Sequence, residues 1–118
     1  MDNQIVQLEG AFAIWSYTIG HGRLLLRRTK TAAHPRRADV LFKDAGWICL
    51  PSSMEGVTIA GVSFEVAGEL LAKAGPVRTN ERKLFKVEGA AQEGFVLAGA
   101  VVWVEDDGEY HDPTSLLE

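Results

Sequence analysis

The sequence predicts a mainly β protein: a small sandwich or barrel of about seven or eight short, mostly antiparallel strands, with at most one short helix near residues 67–74. Three observations carry this reading. Runs of β-branched and aromatic residues recur along the chain, and such residues suit a pleated, half-buried surface. Glycine and proline punctuate them about every 8–12 residues, the spacing of an all-β fold. The length of 118 residues and the 47% apolar content fit one domain, large enough to bury a core without staples. Residues 1–118 therefore read as one β domain, with short flexible ends at about 1–8 and 114–118. Sandwich and barrel bury the same alternating pattern, so local sequence does not separate them.

The first strong element is residues 12–19, FAIWSYTI. Gly20-His21-Gly22 follows, then the strand-like RLLLRR of residues 23–28. A glycine-flanked break between two such runs reads as a hairpin. Residues 29–37 are polar and basic and contain Pro35, which predicts a surface loop. Residues 38–43 alternate: Val40 and Phe42 take one face, Asp39 and Lys43 the other. Asp44-Ala45-Gly46 reads as a turn, residues 47–50 as a short strand stopped by Pro51, and residues 57–60 as another strand.

Residues 62–74 change character midway. Val62, Phe64 and Val66 alternate as a strand would, whereas residues 69–74 are good helix formers before Gly75-Pro76. A strand running into one short helix is expected there. Residues 77–82 read as a charged loop, 84–87 as a strand and 89–94 as a turn. Residues 95–105, FVLAGAVVWVE, are apolar on both faces, which predicts a central, covered strand. Gly99 within it implies a bend, a bulge or a close approach by another segment. Asp107-Gly108 predicts a tight turn that returns residues 109–111 beside Trp103. Trp15, Trp47 and Trp103 each lie in an expected strand and read as core.

Charge is unevenly distributed. The net charge is −4, which argues against general nucleic-acid binding, because that depends on neutralising phosphates. Residues 1–60 carry seven Lys/Arg and five Asp/Glu, and residues 61–118 carry five and eleven. Two features concentrate this asymmetry: the basic group Arg23, Arg27, Arg28, Lys30, Arg36 and Arg37, and the acidic run 105–112. The basic group reads as a solvated strand edge, as a docking or anion patch, or as the counterpart of the acidic segment. Surface pairs of that last kind contribute about 0–1 kcal/mol each. The acidic run reads mainly as a solvated turn, with calcium or partner recognition as alternatives.

The sequence carries no recognisable catalytic or cofactor motif. There is no phosphate-binding glycine loop, no dinucleotide fingerprint and no serine elbow. His21, His34 and His111 form no spaced ligand pair. Cys49, the single cysteine, reads as a small strand hydrophobe and forms no internal disulfide. No secretory signal or membrane-length apolar stretch is visible, so a cytoplasmic protein is expected. No catalytic, metal or cofactor residue is assigned.

The leading functional expectation is a non-catalytic protein-binding or accessory module. The alternative is a small-molecule carrier or enzyme whose ligand enters the mouth of the barrel or sandwich. A third reading is self-association as a homodimer through the apolar strand 95–104. The candidate ligand or partner surface comprises Tyr17, His21, Arg23, Arg27, Asp106, Asp107, Glu109 and His111.

Overall fold

A computed structural model describes residues 3–116. Eight strands form one antiparallel sheet: β1 (Asn3–Thr18), β2 (Arg23–Arg28), β3 (Arg37–Lys43), β4 (Trp47–Cys49), β5 (Ser53–Val62), β6 (Lys83–Glu88), β7 (Glu93–Ala98) and β8 (Ala100–Asp106). Their order is β4-β7-β6-β5-β1-β2-β3-β8. The mainly β expectation holds. One short helix, α1 (Gly68–Lys73), follows a 3₁₀ turn over Phe64–Ala67, where the sequence placed it.

The two ends of this order are joined by the chain itself. β3 runs into β4 through residues 44–46, and β7 runs into β8 through Gly99 alone. The two kinked strands pair on both sides of the kink. Lys43 lies opposite Ala100 and Trp47 opposite Leu97, so the register gains one residue at the kink. Asp44 takes that place in a left-handed conformation, φ 54°, as a bulge residue does. Gly99 N–H donates to the Lys43 carbonyl and Gly46 N–H to the Leu97 carbonyl, both at 2.9 Å. The sheet thus closes on itself as a barrel of six ribbons. Only the register across this corner distinguishes a barrel from a sandwich.

β1 serves two neighbours. Residues 3–13 pair with β5 and residues 13–18 with β2. A bulge between Leu8 and Ala11 bends it at Gly10, where φ is 98°. A side chain at Gly10 would also collide with Arg28. Residues 3–8 are therefore part of a strand rather than a free end, and β1 is much longer than the predicted 12–19. Its N-terminal half escaped notice because its polar residues and Gly10 dilute the alternation.

The interior is one apolar cluster drawn from all six ribbons, including Phe12, Leu24, Val40, Phe42, Ile59 and Val96. Its members are almost fully buried, and the void beside Phe12 and Met54 measures only about 10 Å³. No tryptophan contributes to it. Trp15 and Trp47 are half-buried and Trp103 is exposed, because each lies on the outside of the barrel or at a free edge.

Other elements also depart from expectation. Residues 95–105 form two strands, since Gly99 carries the chain around the corner. Their central, two-sided burial applies to β7, whereas β8 stands at an edge. β5 extends over ten residues rather than four. Phe64 and Val66 leave the sheet and enter the 3₁₀ turn. No strand follows Asp107-Gly108 among the described residues, and Tyr110 packs on Trp15 instead of returning along β8. No helix among the described residues is long and apolar enough to cross a membrane.

Candidate functional site

The outer wall of the barrel is covered in two places. On β6 and β7, Leu84, Phe95 and Leu97 form an outward apolar patch, closed by Ala67, Leu71 and Val77. On β2, β3 and β8 the cover is residues 107–115, held by arginines.

Strand pairing explains this second cover. Arg27 lies opposite Asp39, and Arg37 lies opposite Asp106. Arg37 and Asp39 are two residues apart, so all four share the outer face. Arg27 grips Asp39 with two bonds, at 2.7 and 3.0 Å, and donates a third to the Tyr110 carbonyl at 3.1 Å. Its guanidinium lies 5.2 Å from the Trp15 ring centre, and Trp15 meets Tyr110 edge-on at 5.0 Å. Arg37 holds Asp106 at 2.9 and 3.0 Å and donates to the carbonyls of Glu109, Asp112 and Pro113. Its five N–H groups thus have five acceptors. Gly108 is required here, since a Cβ would run into the Arg37 guanidinium.

The electrostatics follow from these contacts. The hydrogen bonds from Arg37 hold the Asp106 carboxyl down at about 2, helped by the Gly108 N–H and the Ser115 hydroxyl. Arg37 is correspondingly raised, mainly by the Asp106 bond. Exposed pairs rim the clamp: Lys30 with Glu109 at 2.7 Å and Arg36 with Asp107 at 3.1 Å. On the inner face Arg28 caps one end of the core. It donates to the Glu9 and Arg36 carbonyls and to Glu105, while its Nε has no partner.

The basic group and the acidic segment are therefore counterparts. Arg27, Arg28 and Arg37 are buried, rather than forming a solvated edge or an open docking patch. Asp39, expected on a solvated face, is 1% exposed. Residues 114–116 are anchored rather than trailing: Thr114 is buried and the Ser115 hydroxyl donates to Asp106.

The structure divides the candidate residues between two locations. Arg27, Asp106, Asp107, Glu109 and His111 lie in or beside the clamp, with His111 packed 4.4 Å from Tyr110. Tyr17 and His21 lie at the β1–β2 hairpin, lining an open cleft of about 590 Å³. Arg23 is half-buried at the start of β2 and joins neither constellation. In the cleft the Tyr17 hydroxyl donates to the Ala45 carbonyl at 3.0 Å. Arg82 grips Asp44 at 2.8 Å and lowers its carboxyl below the usual range. Arg78 completes the rim. Arg78 and Arg82 come from a loop far away in sequence, so spacing offered no route to them.

A third feature was also missed. Phe64, Val66 and Leu70 are 41%, 47% and 41% exposed. Phe64 and Val66 lie in the 3₁₀ turn and Leu70 in α1, within one short stretch of chain. Phe64 opens onto a mainly apolar cleft of about 450 Å³, lined also by Val62 and Leu84. Reading residues 62–66 as a strand hid this grouping.

The carboxylates of the acidic run are engaged: Glu105 by Arg28, Asp106 by Arg37, Asp107 by Arg36, Glu109 by Lys30 and Asp112 by the Glu109 N–H. Among the described residues no three His, Cys, Asp or Glu converge on a metal position. Cys49 is exposed on β4 rather than buried. The fold and surface define an antiparallel β-barrel with a filled interior and a clamped C-terminal segment. Comparison of the chain with protein-family models, curated proteins and solved structures finds no match.

Proposed function

We propose that the chain is a non-catalytic protein-binding module that engages its partner through the apolar surface of residues 64–70. One observation carries this reading: Phe64, Val66 and Leu70 are all exposed on one short segment, and Phe64 lines an apolar cleft. Grouped apolar exposure of this kind marks interaction sites. Partner side chains entering the cleft beside Phe64 would remove this surface from water. The filled interior supports the choice over a ligand carried inside the barrel, since small-molecule pockets occupy about 300–1,000 Å³. The lone cysteine and the net charge of −4 support a cytoplasmic module acting on protein rather than nucleic acid.

The test compares the wild-type chain with the Val66→Asp/Leu70→Asp variant as bait in native lysate. The expected result is a discrete protein recovered by the first and lost by the second, with melting temperatures matched. Recovery of nothing above background, or of the same protein by both, overturns the proposal.

A second reading rests on the hairpin cleft, where Tyr17, His21, Arg78 and Arg82 converge. It is a site for a small polar ligand. Native mass spectrometry of gently purified protein would then show added mass, lost on Arg78→Ala substitution.

A further inference from the structure

Among the described residues the barrel leaves two free strand edges, and they are treated differently. β4 has three residues and is followed closely by Pro51, so it offers little to a new strand. β8 has seven residues in unbroken register with β3, from Arg37 opposite Asp106 to Lys43 opposite Ala100. Among the described residues no other segment pairs with its outer edge. It contains no proline, glycine, lysine or bulge. The ordinary means of blocking an edge are therefore missing except at its acidic end. Trp103 stands at its midpoint, 40% exposed.

We propose that β8 pairs antiparallel with β8 of a second copy, about a two-fold axis at Trp103. The sequence of the strand is self-complementary in that register. Val102 falls opposite the partner's Val104, and the two tryptophans meet at the axis. Glu105 and Asp106 of each copy face the uncharged Val101 and Ala100 of the other, so like charges stay apart. Ala100 already lies opposite Lys43 on β3. The partner's Asp106 would thus sit two strand spacings from Lys43, about 10 Å, on the same face. The small Ala100 between them leaves room for the lysine side chain to reach across. Lys43 forms no ion pair among the described residues, and this contact would occur twice by symmetry. Isologous two-fold pairing is also the commonest form of homo-oligomer.

Sedimentation velocity of the full chain tests the proposal. Between micromolar and millimolar concentration the mass should rise from 12.9 kDa towards twice that value. Val102→Lys/Val104→Lys places four ammonium groups beside the axis and should hold the chain as a monomer. Lys43→Glu, a change on a half-buried side chain, should raise the dissociation constant about tenfold. Leu70→Asp should leave the dimer intact, which separates this edge from the partner-binding surface. A wild-type chain that is monomeric at millimolar concentration overturns the proposal, as does a dimer unaffected by the double lysine. Circular dichroism checks that the double variant folds. If it does not, Lys43→Glu decides, and an unchanged dimer then overturns the idea.

Discussion

The two covers on the outside of the barrel solve the same problem by different chemistry. Residues 64–73 close the β6–β7 patch by apolar contact, with Ala67 and Leu71 lying on Leu84, Phe95 and Leu97. Residues 107–115 close the β2–β3–β8 face by arginine hydrogen bonds to carboxylates and carbonyls. Apolar contact is non-directional and tolerates sliding. The clamp fixes position, because each N–H of Arg37 has one acceptor. It is also brittle, because a buried charge that loses its partner costs far more than the pair contributes.

Substitutions can break this contrast, and the largest effect is expected at Asp39. Asp39→Ala would leave Arg27 buried without its carboxylate. The expected loss is about 3–5 kcal/mol, read as a shift in urea midpoint. A loss under about 1 kcal/mol, the range of an exposed pair, would show that the clamp is no more than surface pairing. Under the other cover, Leu84→Ala should cost about 2–4 kcal/mol by leaving a cavity. That loss should be nearly independent of pH and salt. Gly108→Ala should cost about 1–3 kcal/mol, since its methyl must displace Arg37 from its acceptors.

A pH series sharpens the comparison further. The Asp106 carboxyl is held at about 2 in the folded protein, below its value of about 3.9 in an unfolded chain. A depressed carboxylate adds stability that is complete above the unfolded value and lost as pH falls through the folded one. Stability should therefore decline between about pH 4 and pH 2. Asp106→Asn, measured by thermal melts across that window, should flatten this part of the decline. The smallest effect belongs to the rim: Lys30→Ala, at the exposed pair with Glu109, should change stability by about 0–1 kcal/mol.

Much of the strand pattern was legible because local chemistry governs it. The hairpin around Gly20-His21-Gly22 and the alternation of Val40 and Phe42 inward needed only periodicity. Gly99 was readable as a bend, a bulge or a close approach because glycine weakens a strand interior and often marks such a place. Asp107-Gly108 misled for an instructive reason. The dipeptide favours a tight turn, but Arg37 supplies carbonyl-binding donors that hold the following residues over the sheet face, where a returning strand would lose them. The burial of Asp39 was hidden because alternation identifies an outward face without showing whether another segment covers it. Of the candidate surface residues, the link between Arg27 and the acidic segment was open as a possibility in composition. The Arg78–Arg82 rim and the Phe64–Val66–Leu70 grouping were not, since each depends on where a loop or helix packs.

By itself the sequence determined that the chain is a mainly β domain, where most strands lie, and that opposite charges are concentrated in separate stretches. Those properties follow from side-chain period, turn residues and composition, all of which act over a few neighbours. Only the tertiary structure decided that the sheet closes into a barrel, that the arginines are buried against the C-terminal segment, and that β8 keeps an open edge. Each of these depends on which segments distant in the chain are adjacent, as Arg37 and Asp106 are at 69 positions apart. Adjacency at that range is set by the packing of the whole core rather than by any local run.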